Sequence, residues 1–351
     1  MTLMNYSEAI NDAFFISMKK DKDVICYGLG VTDPKGVFGT TLNLEKSFGK
    51  DRVFDIPTSE NAMTGIGIGA CVFGLKVVMT HQRLDFALLS MDQLVNNAAK
   101  WRFMFGNKSS VSLTIRMIIG RGWGQGPTHS QSLQSIFAHI PGLKVVMPSS
   151  PSDAKGLLIS SIFDPDPTIF LEHRWLHGLR GKVPKSDYRV SIGKGKIIKN
   201  GKDITIVAMS YMVIEAIHAV NFLEKQNVKC ELIDLRTISP IDWGIIKKSV
   251  KKTGKLLILD TGHLTGSISS EISAWVTTQC WNDLTHPPVR LAAPDFPEAT
   301  SFSLTKDYHV KAEEIIKKIG KILNLKFNHI LIRKNMTHPH DVPGEWFKGP
   351  F

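Results

Sequence analysis

One acidic residue stands where a predicted strand gives way to a helix of small residues. Glu60 lies in the run DIPTSENAMTGIGIGA at 55–70, before a helix that carries Gly65, Gly67 and Gly69. Strand ends of this kind are where α/β folds bind ligands, and the glycines would let another helix or a cofactor approach closely. The run therefore indicates a ligand-binding carboxylate, although a surface helix cap at Glu60 fits this stretch equally well.

The commonest enzyme signatures are missing from the sequence. No GxGxxG follows a predicted strand, and GxxxxGK[ST], GxSxG and HExxH do not occur. These patterns would indicate a dinucleotide-binding dehydrogenase, a P-loop enzyme, a hydrolase with a nucleophile elbow or a zincin. Chemistry at the Glu60 junction must therefore be of another kind.

Strand patterns alternate with helix patterns almost from end to end, which predicts an α/β fold with mainly parallel sheets. In the first half, we predict helices at 5–20, 60–74 and 90–105, and strands at Val24–Gly28, Val77–Thr80 and Val111–Ile115. A second α/β run begins with the strand Ile204–Ala208. We predict a first domain at 1–185, a linker at 186–200, a second domain at 201–325 and a C-terminal tail at 326–351.

Composition and charge are those of a globular protein. Of 351 residues, 43% are hydrophobic and 21% are charged, and the net charge is +11. The composition excludes a disordered or collagen-like chain. The lysines are spread along the chain, so a solvated basic surface is favoured over nucleic-acid binding. The longest apolar and glycine stretch, 65–75, is shorter than the roughly 20 residues that span a bilayer.

The cysteines and the first residues bear on the compartment. Cys26, Cys71, Cys230 and Cys280 lie far apart and form no CxxC pair, so we expect core thiols in a reducing environment. The start of the sequence lacks the basic and apolar regions of a secretory signal. We therefore expect a soluble, cytoplasmic protein.

Longer motifs follow one another in order along the chain. After DIPTSE come DFALLSMDQLVNNAAKWRFM at 85–104, THSQSLQSIFAHIPGLKVVMPSSPSDAKGLL at 128–158 and DLRTISPID at 234–242. Together they closely resemble the β subunit of the thiamin-diphosphate-dependent 2-oxo acid dehydrogenase first component, of pyruvate or branched-chain type, in the transketolase-like superfamily. The resemblance covers residues 5–320. It implies two three-layer α/β/α domains, a pyrimidine-binding domain and a transketolase C-terminal-like domain.

The resemblance implies roles for three residues. Glu60 matches the catalytic carboxylate that hydrogen-bonds the aminopyrimidine ring of thiamin diphosphate. Phe86 matches the aromatic residue that stacks on this ring, although a plain core phenylalanine is the alternative. His129 matches the histidine that handles the substrate carboxylate or a proton transfer. The glycine-rich loop at 120–126 before it would close over the substrate, with Trp123 as a candidate lid residue.

Metal ions and partners also follow from the resemblance. A turn resembles the family's monovalent-cation loop, which binds K⁺ mainly through backbone oxygens; it contains Ser161, Ile162, Asp164 and Asp166. The GDG motif that holds the diphosphate and Mg²⁺ in the family does not occur in this chain. A separate α subunit is therefore expected to hold them, in a heterotetramer whose active site forms between chains and acts on a small 2-oxo acid.

Some features depart from the family pattern. Gly28-Leu29-Gly30 stands where acidic residues of a proposed proton relay are usual, and 264–269 differs from a glycine-rich family stretch. Residues 300–351 hold nine Lys or Arg against five Asp or Glu, which should weaken docking to the basic binding domain of an acyltransferase. In the tail, we expect Trp346, Phe347 and Phe351 to pack on a partner subunit.

Two functions remain open at this point. The leading interpretation is a β subunit that takes part in decarboxylating a 2-oxo acid and in transferring the acyl group to a lipoyl acceptor. The alternative is a thiamin-diphosphate-dependent decarboxylase, carboligase or transketolase-like enzyme that acts outside a lipoyl complex. The basic C-terminal region and the altered position 29 favour this alternative.

Overall fold

The computed structural model describes residues 1–122, 124–328, 332 and 338–348. The chain divides into two compact units. The first contains residues 1–120, 128–192 and 238–240. The second contains the described residues within 121–127, 193–237 and 241–348. Residues 121–127 thus belong to the second unit although the first unit precedes and follows them in the sequence. Residues 238–240 belong to the first unit although the second unit precedes and follows them.

The first unit is built on a seven-stranded sheet with the order β12-β6-β7-β5-β4-β2-β3. The strands of this unit are β1 Thr2–Asn5, β2 Val24–Gly28, β3 Val53–Asp55, β4 Lys76–His81, β5 Leu113–Ile119, β6 Lys144–Val146, β7 Thr168–His173, β8 Arg180–Val183 and, at the sheet edge, β12 Thr237–Ser239. Strands β3, β2, β4, β5, β7 and β6 pair in parallel, and β1 and β8 form a separate antiparallel pair. All carboxyl ends of the parallel strands therefore lie at one edge of the sheet.

Helices cover both faces of this sheet. They are α1 Tyr6–Lys20, α2 Leu44–Phe48, α3 Glu60–Val72, α4 Leu84–Ala87, α5 Ala99–Met104, α6 Gln134–Ala138 and α7 Pro151–Ile162, with 3₁₀ turns at Leu88–Ser90 and Arg174–Leu176 and a π-helical segment at Gln93–Ala98. Adjacent residues of a strand point to opposite faces. Met79 contacts Thr64 of α3, with the hydroxyl 3.4 Å from the sulfur, whereas Thr80 contacts Arg116, which lies against Phe14 of α1. The unit is thus a three-layer sandwich.

The second unit has a smaller five-stranded sheet with the order β14-β13-β10-β11-β9. Its elements are β9 Lys196–Lys199, β10 Ile204–Ala208, β11 Cys230–Asp234, β13 Leu256–His263, β14 Val289–Ala293, α8 Met212–Glu224, α9 Trp243–Thr253, α10 Ile268–Gln279 and α11 Ala312–Leu323, with 3₁₀ turns at Trp281–Asp283 and Phe302–Thr305. Among the strands that the structure describes in this sheet, β9 alone pairs antiparallel, and its partner is β11. The apolar sides of α8 and α11 pack on the sheet around buried residues such as Ile206, Val220 and Ile316.

Local sequence explains how the main helices begin. Asn5 caps α1 through a capping box with Glu8, and Ser150 caps α7, which has Pro151 in its first turn. Both arrangements satisfy backbone N–H groups that a helix start leaves without partners. No helix in the described part of the chain is long and apolar enough to cross a membrane.

All four cysteines are buried and carry free thiols. Burial raises the pKa of Cys26, Cys71 and Cys230 to about 12, and it also raises the pKa of Cys280. Thiolate is the reactive form of cysteine. The thiols are therefore inert core groups in the folded chain.

Candidate functional site

Glu60 is the first residue of α3 and is buried, with 5% of its surface exposed. The loop before this helix is held by Asp55 at the end of β3, whose carboxylate accepts hydrogen bonds from Val31 N at 2.7 Å and from Thr32 Oγ1 at 2.6 Å. Among the described residues, no hydrogen bond to the Glu60 carboxylate is formed. The structure thus has a buried carboxylate that is open to an added partner.

The glycines of α3 allow the helix to lie close to the strands. A Cβ added at Gly67 would lie 2.3 Å from the hydroxyl of Tyr27, which is too close for any side chain. That hydroxyl donates a hydrogen bond to the Met63 carbonyl at 2.8 Å. The close approach fixes the first turns of α3, and with them Glu60, above β2.

Phe86 and His129 lie in contact at the same edge of the sheet. Phe86 belongs to α4, which follows β4, and His129 lies in the segment that follows β5. Their ring centroids are 5.4 Å apart with the planes nearly perpendicular. Phe86 is half-buried and His129 is exposed. Helix α3 packs against the 3₁₀ turn Leu88–Ser90 that follows Phe86, so the three predicted residues come from adjoining segments.

A further pair of side chains joins the segments that carry Phe86 and His129. Gln131 Nε2 donates to Asp85 Oδ1 at 2.7 Å. Arg83, which is buried, donates to the Gly120 carbonyl at 2.8 Å. The sequence motifs contain Asp85 and Gln131, but nothing in their spacing predicts that they bind each other. These contacts link the segment that carries Phe86 to the segment that carries His129.

Several buried polar atoms around this edge have no hydrogen-bond partner. Within the described residues, they include Nε2 of His81, Oδ2 of Asp85 and Oγ of Ser130. A buried polar atom left unpaired costs free energy, so such atoms are unusual without a ligand, ion or water. Asp85 and Ser130 adjoin Phe86 and His129 in the chain, and His81 is the last residue of β4, which fits a polar ligand at the carboxyl edge of the sheet.

A buried network of Arg116, Glu172 and His177 joins strands β5 and β7. Arg116 Nε is 2.6 Å from Glu172 Oε1, and His177 Nε2 is 3.2 Å from Glu172 Oε2. Burial opposes ionisation of Glu172, but the Arg116 charge and the bonds from His177 and Arg116 outweigh it and lower its pKa. Burial also lowers the pKa of His177 to about 4. The network is a structural support for β5 and β7, which sequence analysis did not detect.

His81 provides a test of burial at this edge. Burial lowers its pKa from 6.5 to about 4, so the folded chain keeps it neutral while the unfolded chain takes up a proton below about pH 6.5. Stability is therefore lost as the pH falls from 6.5 towards 4. We expect His81→Gln to remove about 2 kcal/mol of the decrease in unfolding free energy between pH 7 and pH 5, measured by urea denaturation. His139 is exposed, and His139→Gln should leave the pH dependence of the unfolding free energy as it is in the unmodified chain. The same result for His81→Gln would contradict a pKa of His81 that is lowered by burial.

The proposed cation turn has its carboxylates already paired. Asp164 Oδ1 lies 2.6 Å from Lys144 Nζ, and Asp166 binds both Lys144, at 3.0 Å, and Arg102, at 2.7 Å. The Ser161 hydroxyl donates to the Leu157 carbonyl within α7. Ile162 is the last residue of that helix. Both carboxylates of this turn therefore already have cationic side chains as partners. Trp123 lies outside the described residues.

The two halves of the chain match two protein families. Residues 3–178 match the family described as transketolase, pyrimidine binding domain. Residues 193–315 match the family described as transketolase, C-terminal domain. A solved structure described as split gene transketolase, inactive beta4 tetramer, has a TM-score of 0.74 and 19% identity, and the match covers 91% of this chain and 98% of that chain. At this identity, the structure supports the fold alone.

Curated relatives are similar over most of the chain. The 2-oxoisovalerate dehydrogenase subunit beta of Bacillus subtilis is 40% identical over 85% of this chain and 91% of its own length. The acetoin:2,6-dichlorophenolindophenol oxidoreductase subunit beta of Cupriavidus necator is 39% identical over 90% of this chain and 96% of its own length. The pyruvate dehydrogenase E1 component subunit beta of Bacillus subtilis is 36% identical over 91% and 99%.

Proposed function

The chain belongs to the transketolase-like family of E1 β subunits of thiamin-diphosphate-dependent 2-oxo acid dehydrogenases, and from this premise we propose how its own residues contribute to catalysis. It is the β subunit of a heteromeric enzyme that decarboxylates a 2-oxo acid and transfers the acyl group to a lipoyl acceptor. The observation that carries the proposal is the buried Glu60 carboxylate at the start of α3.

The residues at the sheet edge fit the cofactor of this family. Glu60 is buried without a hydrogen-bond partner in the described part of the chain, as a carboxylate reserved for a ring nitrogen would be. Thiamin diphosphate, when bound, supplies the carbon that attacks the 2-oxo group and accepts the electrons released on decarboxylation. Glu60 would hold the aminopyrimidine ring by a charge-assisted hydrogen bond and favour the proton transfers at that ring.

Phe86 and His129, which contact each other, would both face the same ligand. The flat face of Phe86 can stack on the aminopyrimidine, and the edge contact with His129 orients both rings. His129 is exposed, with Nδ1 3.0 Å from the Thr128 hydroxyl. This contact leaves Nε2 to bind the substrate carboxylate or to exchange a proton.

The partner is an α subunit. Relatives of this chain are named as β subunits, and we propose that an α chain with a GDG motif supplies the residues for the diphosphate and Mg²⁺, in a heterotetramer with two copies of each chain. A lipoyl acyltransferase would be a further partner. The assembled enzyme would act in the cytoplasm.

A K⁺ ion would bind at the turn after α7. One observation supports it: the Thr114 hydroxyl is buried and, among the described residues, has no hydrogen-bond partner. Thr114 pairs in register with Thr168, two residues after Asp166. Since the nearby carboxylates are paired with lysine and arginine, the ion would be held by backbone oxygens of Ser161 and its neighbours and by this hydroxyl.

One alternative has an observation in its favour. The relative named for acetoin oxidation matches this chain as well as the relative named for 2-oxoisovalerate does. The basic C-terminal region also disfavours docking to a basic acyltransferase domain. A thiamin-diphosphate enzyme that acts outside a lipoyl complex, as decarboxylase, carboligase or oxidoreductase, is therefore the second candidate.

Reconstitution with the α subunit tests the proposal. We expect this chain, co-purified with a GDG-containing α subunit, to decarboxylate pyruvate or 2-oxoisovalerate when thiamin diphosphate and Mg²⁺ are present, and either chain alone to have no activity. A lipoyl domain as acceptor should raise turnover. Turnover of acetoin without any 2-oxo acid activity would favour the alternative, and full activity of this chain alone would contradict both.

A further inference from the structure

The C-terminal segment 338–348 lies beyond the family match, which ends at residue 315. It packs on an earlier part of the same unit. His340 Nε2 lies 2.8 Å from the Phe302 carbonyl oxygen, and the two rings are 4.0 Å apart. Asp341 and Phe347 are buried. The segment is therefore an integral part of the second unit.

Arg121 connects this segment to the glycine-rich loop. Its side chain is 1% exposed. The guanidinium lies 3.2 Å from Glu298 Oε1 and 3.3 Å from Asp341 Oδ2. It also donates to the carbonyls of Ala299, at 2.6 Å, and Thr300, at 3.2 Å. Arg121 thus joins the loop to two carboxylates, one of which is supplied by the C-terminal segment.

The far end of the loop contacts the same place. A Cβ added at Gly126 would lie 2.3 Å from the Thr300 hydroxyl, so the loop packs closely against Thr300 here. Within the loop, Gly122 N donates to Gln125 Oε1 at 2.9 Å. One end of the loop is therefore bonded to residues 298–300 and the other end lies against Thr300, and Thr128 and His129 follow directly in the chain.

We propose that Asp341, together with Glu298, is a positioning residue that anchors Arg121 and so fixes the glycine-rich loop ahead of His129. The proposal rests on the role of His129 in the proposed function. A carboxylate from a C-terminal segment outside the family match thereby fixes the loop that leads into His129. The Asp341 carboxylate acts through Arg121 and touches no substrate.

Arg121 binds two carboxylates, so the contribution of Asp341 to anchoring the loop can be tested while Glu298 stays in place. Removing Arg121 would take the guanidinium partner from two buried carboxylates, Glu298 and Asp341, which is strongly destabilising. Removing the charge of Asp341 leaves Arg121 with Glu298 and two carbonyl oxygens. Asp341→Asn should therefore loosen the loop without unfolding the unit.

Trypsin cleavage after Arg121 measures the anchor directly. In the assembled enzyme, the buried Arg121 should resist cleavage, because proteolysis needs a local opening. We expect Asp341→Asn to raise the rate of cleavage between Arg121 and Gly122 about tenfold or more, measured by mass spectrometry of the fragments. Asp341→Glu should restore most of the protection. Asp307→Asn makes the same chemical change at an exposed position of the second unit and should leave the rate unchanged.

Kinetics give a second readout. We expect Asp341→Asn to raise the KM for pyruvate or 2-oxoisovalerate about fivefold or more, with the Kd for thiamin diphosphate and the thermal midpoint unchanged, since Glu60 and Phe86 lie outside the loop. Unchanged cleavage after Arg121 in Asp341→Asn would overturn the anchor. Increased cleavage with unchanged KM would overturn its role in substrate handling. The cleavage assay remains valid if the proposed function fails.

Discussion

Glu60→Gln should lower the rate of 2-oxo acid decarboxylation about 1,000-fold in the assembled enzyme while the fold stays intact. Glutamine has the size of glutamate and can fill the same buried position at the start of α3. It cannot offer the charged acceptor that a protonated ring nitrogen requires, and proton transfer by a positioned group contributes factors of about 10² to 10⁴. The measurement is steady-state turnover with saturating thiamin diphosphate and Mg²⁺.

A matched control separates this effect from a general loss of charge. Glu45 lies in the first turn of α2, another helix of the same unit, and Glu45→Gln makes the same chemical change away from the site. We expect this control to keep normal turnover, and both variants to keep the normal thermal midpoint. Turnover of Glu60→Gln within threefold of the unmodified enzyme would show that Glu60 is only a buried helix residue.

His129→Ala has the second large expected effect, a loss of about 100-fold or more in kcat. The imidazole is exposed and stands nearly perpendicular to the Phe86 ring, so its removal should cost little stability. Loss of a positioned acid or base removes a factor of about 10² to 10⁴. Calorimetry should show that thiamin diphosphate still binds, because Glu60 and Phe86 remain.

His139 supplies the control for this variant. It is also exposed and lies ten residues further along the same unit, and His139→Ala should be fully active. If His129→Ala keeps its kcat but loses affinity for thiamin diphosphate, His129 supports the cofactor instead of handling the substrate. If both parameters are unchanged, the assignment of His129 is wrong.

The main elements of the fold could be predicted from apolar periodicity. The strand Val24–Gly28 and the first helix appear as expected, because each has a continuous buried pattern and clear end signals. The predicted helix at 90–105 is wrong in detail: it contains a π-helical segment at Gln93–Ala98 before α5. A shift in backbone hydrogen bonding leaves the apolar spacing almost unchanged, so the sequence pattern does not reveal it.

Strand β5 shows the limit set by long-range pairing. The sequence predicts Val111–Ile115, but the strand runs from Leu113 to Ile119. Arg116 interrupts the apolar run, which suggests an end to the strand. Its guanidinium is instead buried against Glu172, 56 positions away in the chain. A charge in a core strand is acceptable only with its partner in place, and that partner cannot be identified from local sequence.

The candidate site was predictable in part. The strand-to-helix junction indicated Glu60 as a ligand-binding carboxylate, and the family motifs supplied Phe86 and His129. The bonds that hold the segments together were not predictable, since Asp85 and Gln131 are 46 positions apart and Arg121 and Asp341 are 220 apart. Such pairs follow from the folded chain, not from spacing.

The tail differs from the expectation of a partner-bound segment. Phe347 is buried within its own chain and needs no partner subunit to cover it, so that prediction is wrong for this residue. Trp346 is half-buried, and Phe351 lies outside the described residues. The tail is anchored instead through Asp341 and His340, whose partners are polar groups of the second unit.

The four inert thiols divide evenly between the two units, with Cys26 and Cys71 in the first and Cys230 and Cys280 in the second. An alkylating reagent can therefore modify each thiol only after the surrounding core opens. Labelling kinetics, read residue by residue by mass spectrometry, would give the opening rate of each unit within the intact chain. The native cysteines can therefore report the opening rate of each unit separately, without an added probe.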